Sequence, residues 1–146
     1  MKRIVSLIYC LALLAFSAQA AYACSCLEVK EGDTNYKAWL KTFDGAVFTG
    51  RVVKIEKQED NHRLQVTFKI EKYWKGVRGA ETVVYTALDS AACGVPYAEG
   101  ETYFVAARKS DVGLQTDLCS HLQYTKDKKT MMRKLGRGKR PRTQNI

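Results

Sequence analysis

Arg63-Leu64-Gln65-Val66-Thr67-Phe68-Lys69-Ile70-Glu71-Lys72-Tyr73 decides the fold class. Val66, Phe68 and Ile70 alternate with Thr67, Lys69 and Glu71, the period of two that turns one face of a β-strand to a core and the other to water. Outward from this stretch, Ala46 to Ile55, Glu81 to Thr86, Thr102 to Ala107 and Gly113 to Leu118 are rich in the same strand formers. Turn chemistry separates them: Gln58-Glu59-Asp60-Asn61, then Gly76 to Gly79, then Glu99-Gly100. Ahead of the first run, Asp33-Thr34 precedes Tyr36, Trp39, Leu40 and Phe43, whose i, i+3, i+4, i+7 spacing predicts a short amphipathic helix with an N-cap before it. Five short strands with minor helices in about 100 residues predict a mainly β protein: a small five-stranded antiparallel barrel of the OB type with short flanking helices.

The chain has 146 residues, 46% of them hydrophobic, which fits one compact domain and excludes both two large domains and a wholly disordered chain. Its only long apolar run, Ile4 to Phe16, follows Met1-Lys2-Arg3 and runs into Ser17-Ala18-Gln19-Ala20-Ala21-Tyr22-Ala23. A charged start, an apolar middle and small-residue cleavage sites make residues 1–23 an export signal. The run is shorter than the roughly 20 apolar residues that a membrane-spanning helix requires, so the mature chain is expected to carry no such segment. Cleavage after Ala20 leaves Ala21 first, and cleavage after Ala23 leaves Cys24 first. Lipid attachment to Cys24 is a third route, against which Tyr22 stands. The expected organisation is a signal over 1–23, a folded body over 24–125 and a basic tail over 126–146, in a protein exported to the periplasm or released.

Without residues 1–23 the chain keeps Cys24, Cys26, Cys93 and Cys119, an even number that implies disulfides in an exported protein. An extended C-x-C spans about 7 Å between Cα atoms, at the limit for a bridge, so Cys24 and Cys26 each reach a distant partner, Cys93 or Cys119. Two pairings remain open. The same cysteines with His121 could instead ligate zinc, although C-x-C differs from the usual C-x2-C knuckle and export favours oxidation.

Charge is uneven along the chain. Residues 126–146 hold nine Lys/Arg and one Asp, whereas residues 24–125 hold 13 Lys/Arg and 14 Asp/Glu. Lys126 to Leu135 predicts a short helix with Met131 and Leu135 on one side, and Gly136-Arg137-Gly138-Lys139-Arg140-Pro141-Arg142 carries breakers without an apolar period. The last ten or so residues are expected to be mobile. Such a tail suits an anionic surface or glycan.

No enzyme signature is present: His62 and His121 lack H-E-x-x-H spacing and have no Ser or free Cys nucleophile to activate. Lys72-Tyr73-Trp74-Lys75-Gly76 interleaves basic and aromatic residues as single-strand binders do, but a body without net positive charge does not favour nucleic acid as partner.

Cys24-Ser25-Cys26, Phe68-Lys69-Ile70-Glu71-Lys72-Tyr73-Trp74-Lys75-Gly76, Val84-Tyr85-Thr86-Ala87, Ser90-Ala91-Ala92-Cys93-Gly94-Val95, Gly100-Glu101-Thr102-Tyr103-Phe104-Val105-Ala106-Ala107 and Leu118-Cys119 follow one another in an order and spacing that resembles the N-terminal, netrin-like domain of tissue inhibitors of metalloproteinases, from Cys24 to about Tyr124. The resemblance implies an OB barrel and bridges Cys24–Cys93 and Cys26–Cys119. It further implies inhibition of zinc metalloproteases through the mature N-terminus, where the α-amine and carbonyl of Cys24 chelate the target's catalytic zinc. Ser25 would enter the specificity pocket, and Cys26, Leu27, Ser90, Ala91, Ala92 and Cys93 would complete the contact ridge. No cofactor of the inhibitor's own is implied. The chain differs from animal members in having no cysteine between Cys26 and Cys93, no proline-containing stretch after C-x-C and a basic tail in place of a second, cysteine-rich domain. Its short form and signal resemble bacterial sequences.

Overall fold

The strand β1 spans Gly45–Gln58 and pairs along both of its edges, which is what closes the sheet. The computed structural model describes residues 24, 26, 35–77, 79–122 and 128–141; the expected signal over 1–23, Asp33-Thr34 and residues 142–146 lie outside the described residues. The remaining strands are β2 (Arg63–Lys75), β3 (Glu81–Ala87), β4 (Thr102–Ser110) and β5 (Gly113–Gln115). They form a closed barrel in the order β1-β2-β3-β5-β4, mainly β with few short helices, as an OB-type barrel requires. All neighbours are antiparallel except β3 and β5, which run parallel through Tyr85 and Gln115.

Bending lets so long a strand follow the curve of the barrel. The β1–β2 register shifts at Val47/Phe48, Thr49/Gly50 and Val52/Lys54, and such bulges increase local twist and turn the strand. Gly50 sits within this bend. A Cβ there would lie 3.0 Å from the Lys69 carbonyl oxygen and 3.3 Å from carbons of Phe48 and Phe68, so a side chain would press the two strands apart.

The alternation read from β2 is the alternation observed: Val66, Phe68 and Ile70 are buried, whereas Lys69 and Glu71 are exposed. They meet Ala46, Phe48, Val52, Val84, Val95, Tyr97, Val105 and Ala107 inside the barrel. Aromatic rings pack edge to face there, Phe48 on Phe68 at 5.5 Å, Phe68 on Tyr97 at 5.2 Å and Tyr97 on Tyr103 at 4.8 Å between centroids. Burial pushes the Tyr97 phenol well above the ordinary tyrosine range.

Alternation fails from Ala46 to Gly50 and from Phe104 to Ala107, where every residue is buried. A second layer on the outside of the barrel is the cause, since a strand covered on both faces reads as a continuous apolar run. That layer consists of α1 (Tyr36–Thr42) and α3 (Lys128–Leu135), which place Trp39, Leu40, Met132 and Leu135 against Phe43, Val47, Trp74, Phe104 and Ala106. Helix α1 is capped by Asn35, whose Oδ1 accepts from the Ala38 N–H at 3.1 Å. Lys75 Nζ donates to the Lys41 carbonyl at 2.8 Å and so ties the C-terminal end of α1 to β2. Lys134 lies 5.3 Å over the Tyr36 ring, joining the two helices. In α3 it is Met132 that accompanies Leu135 into the layer; the Met131 side chain lies outside the described residues.

Two expectations are corrected. The last strand ends at Gln115, not Leu118, because Asp117 Oδ1 accepts from the Ser120 N–H at 2.6 Å and starts a short helix, α2 (Leu118–Leu122). The segment directly after α3 is not free of the body, since Tyr73 and Lys139 exchange backbone hydrogen bonds of 2.8 Å in each direction, while residues 142–146 of the end expected to be mobile lie outside the described residues. Among the described residues no helix is long and apolar enough to cross a membrane.

Candidate functional site

Parallel pairing of β3 and β5 brings the C-terminal ends of both strands to the same end of the barrel. The chain leaving β3 reaches Cys93, and the chain leaving β5 reaches Cys119 in α2. A C-x-C segment is long enough to meet both. Cys24 is bridged to Cys93 with Cα atoms 5.3 Å apart, and Cys26 to Cys119 at 5.2 Å. Of the two pairings left open by spacing, this is the one that the resemblance implied. The sulfurs of Cys24, Cys93 and Cys119 fall within 4.8 Å of one another, but each belongs to a bridge, so no thiolate is left among these cysteines for a metal. Bridged pairs fit an oxidising compartment.

The segment opposite Cys24 is held by backbone chemistry. Asp89 Oδ1 accepts from the Ala92 N–H at 2.9 Å, the Asp89 carbonyl accepts from Gly94 at 2.8 Å, and the Ser90 carbonyl accepts from Cys93 at 3.1 Å. This tight turn leaves Cys93 at φ 61°, the left-handed region that non-glycine residues seldom occupy. Gly94 permits it: a Cβ there would sit 2.2 Å from the Ala87 carbonyl oxygen and 2.7 Å from that of Asp89. On the barrel side, the Thr86 hydroxyl, fully buried, accepts from the Val95 N–H at 3.0 Å. The Cys93 carbonyl accepts from Leu118 at 2.8 Å, linking the turn to the start of α2.

The result is a fixed edge on which Ser90, Ala91 and Ala92 are exposed and Cys24, Cys26 and Cys93 are half-buried. Small side chains there leave backbone and short polar groups as the outermost atoms. Ser25 and Leu27, which the resemblance adds to this ridge, lie outside the described residues, as does the side chain of His121. Asp89, Thr86 and Asp117 hold the site together and were not singled out by sequence reasoning. An Asp placed three residues before an exposed turn amide, or just before an apolar helical start, is the available signal for two of them.

Trp74 and Tyr73 do not form an open stacking surface. Trp74 packs on Phe104 at 5.6 Å between centroids and donates its Nε1–H to the Gly136 carbonyl at 2.9 Å. Tyr73 packs against the barrel core. His62 sits in the left-handed position that closes the turn between β1 and β2, where its carbonyl accepts from the Leu88 N–H at 3.1 Å. Comparison of the chain with protein-family models and with curated proteins gives no match.

Proposed function

We propose that the chain, processed to begin at Cys24, is an exported inhibitor of zinc metalloendopeptidases on a netrin-like barrel, of the kind found in tissue inhibitors of metalloproteinases. The observation that carries this reading is the bridge-held Cys24 beside the exposed Ser90, Ala91 and Ala92 at one end of the barrel. A catalytic zinc keeps one coordination position for water. The α-amino nitrogen and carbonyl oxygen of Cys24 would close a five-membered chelate on that metal and displace the water, offering no bond to cleave. Ser25 follows into the specificity pocket, and Cys26 and Leu27 continue the contact.

Rigidity is what makes so small a ligand effective. Two bridges and the capped turn of residues 89–94 fix the edge before docking, so little ordering entropy is lost on binding. The zinc belongs to the target, and the inhibitor needs none of its own. The reading requires a free amine at Cys24. Intact mass and N-terminal sequencing of the protein recovered from its host test this: an unmodified Cys24 start with four half-cystines is expected, and an Ala21 start or an acylated Cys24 would overturn it.

A further inference from the structure

The chain that follows α3 is built onto the barrel. Gly136, at φ 83°, ends the helix in the left-handed conformation that glycine adopts without strain. Gly138 then passes over Trp74 so closely that a Cβ would meet the indole at 3.1 Å and the Lys72 Cβ at 3.3 Å. Lys139 pairs with Tyr73 on the part of β2 that β3 leaves uncovered, since the β2–β3 ladder ends at Lys69. Residues 136–139 therefore form a strap whose backbone is fixed by the Trp74 indole and by Tyr73.

The strap gathers charge. Arg137 and Lys139 are exposed on it, Arg140 is exposed directly after it, and Lys72 is exposed beside it. Among the described residues no carboxylate forms an ion pair with these four. The nearest acid in sequence, Glu71, instead accepts from the Thr102 hydroxyl at 3.3 Å. Because an ordered strap holds the cations, a polyanion docking here does not have to order a loose tail.

We infer that this strap is a second binding site, for a linear anionic polysaccharide. The cations follow a segment held alongside the end of β2, which suits a chain bearing repeated carboxylate or sulfate groups. The apolar residues of the region point elsewhere. Leu135 is buried, and Met132 and Trp74 are packed into the outer layer, so among the described residues of the region there is no wedge for a lipid bilayer and no open ring for a nucleobase. The site is also remote from the cysteine edge. Arg63 of β2 pairs with Ala87, at the end of β3 that leads to Cys93, whereas the strap pairs at Tyr73; ten residues of strand separate them, about 33 Å of path. Both sites can be occupied together, so the strap holds the protein on an anionic matrix with its other end free.

The test uses the oxidised protein and immobilised heparin as probe, with anionic phospholipid vesicles and a single-stranded oligonucleotide as parallel arms. Wild type is expected to bind heparin in preference to both. The R137A/K139A/R140A variant should bind about tenfold more weakly or worse, each exposed ionic contact contributing a modest factor, with a shallower salt dependence. A control that removes equal charge elsewhere, K54A/K57A/K109A, should stay within about twofold if ionic attraction is local at this salt. The single variant R140E, which leaves the Tyr73–Lys139 pairing untouched, should shift binding in the same direction as the triple variant. Inhibition of a metalloendopeptidase, measured separately, should not change in any strap variant. Equal losses in the strap and control triples, or binding only to vesicles or the oligonucleotide, would overturn the inference.

Discussion

Removing one bridge gives a loss of stability whose size follows from how the two are nested. Taken alone, the Cys26–Cys119 bridge closes a loop of 93 residues, which in the chain-entropy model corresponds to about 4.6 kcal/mol. With Cys24–Cys93 intact, however, a shorter ring exists, running from Cys26 to Cys24, across the first bridge, and from Cys93 to Cys119. That ring holds only about 28 residues and is worth about 3.5 kcal/mol. The double substitution Cys26→Ser/Cys119→Ser should therefore cost about 3.5 kcal/mol, and Cys24→Ser/Cys93→Ser about the same. Removing both bridges should cost about 8 kcal/mol, comparable to the whole stability of a domain of this size. Urea unfolding followed by circular dichroism is the assay. With m near 1.5–2 kcal/mol/M the midpoint should fall by about 2 M for either single removal, and m itself should rise as the unfolded chain expands. A loss below about 1 kcal/mol for either pair would refute the nested-loop reasoning and the picture of a pinned N-terminal segment.

Trp74→Ala removes the ring between Phe104 and the strap together with the bond to Gly136; it should cost about 2–3 kcal/mol and open the chain after Arg137 to trypsin, read by limited proteolysis. Gly94→Ala forces a Cβ against two carbonyl oxygens and should cost at least about 2 kcal/mol in thermal unfolding, with loss of inhibition beyond what stability explains. Tyr97 has a folded pKa raised above its unfolded value by burial, so its contribution is fully present below about pH 10 and is lost as pH rises further. Tyr97→Phe should flatten the alkaline stability profile relative to wild type. Inhibition should weaken below about pH 7.7, by up to about tenfold per unit, because only the neutral α-amine binds zinc; an inhibition constant unchanged from pH 8 to pH 5 would count against amine ligation.

The barrel was legible because β2 alternates from Val66 to Glu71, and Val66, Phe68 and Ile70 line the core as their spacing required. Two-sided burial hid the outer layer. Phe104 and Ala106 face α3 and α1 rather than water, and a run of apolar residues carries no mark of which face meets which neighbour. Leu118 read as the end of a strand because apolar composition suits strand and helix equally, and the Asp117 cap decided the matter. The strap was missed for a different reason. Gly136 and Gly138 have the local signature of a breaker, yet Gly136 turns the chain in the left-handed conformation and Gly138 lets it pass close over the Trp74 indole, far away in sequence. The cysteine pairing was not legible in the spacing, which allows Cys24 to reach either partner; the resemblance chose between them.

The edge and the strap together describe a barrel with a stapled end and a basic end, joined by the length of β2. The inhibition proposed for the stapled end rests on one nitrogen atom. The most direct measurement is the inhibition constant, against a zinc metalloendopeptidase that the Cys24-start protein inhibits, of that oxidised protein and of the same protein carrying one extra Ala before Cys24. The added residue leaves the barrel, bridges and strap intact but turns the amine into an amide. Loss of inhibition on adding the Ala is the predicted result, and equal potency of the two forms would contradict it.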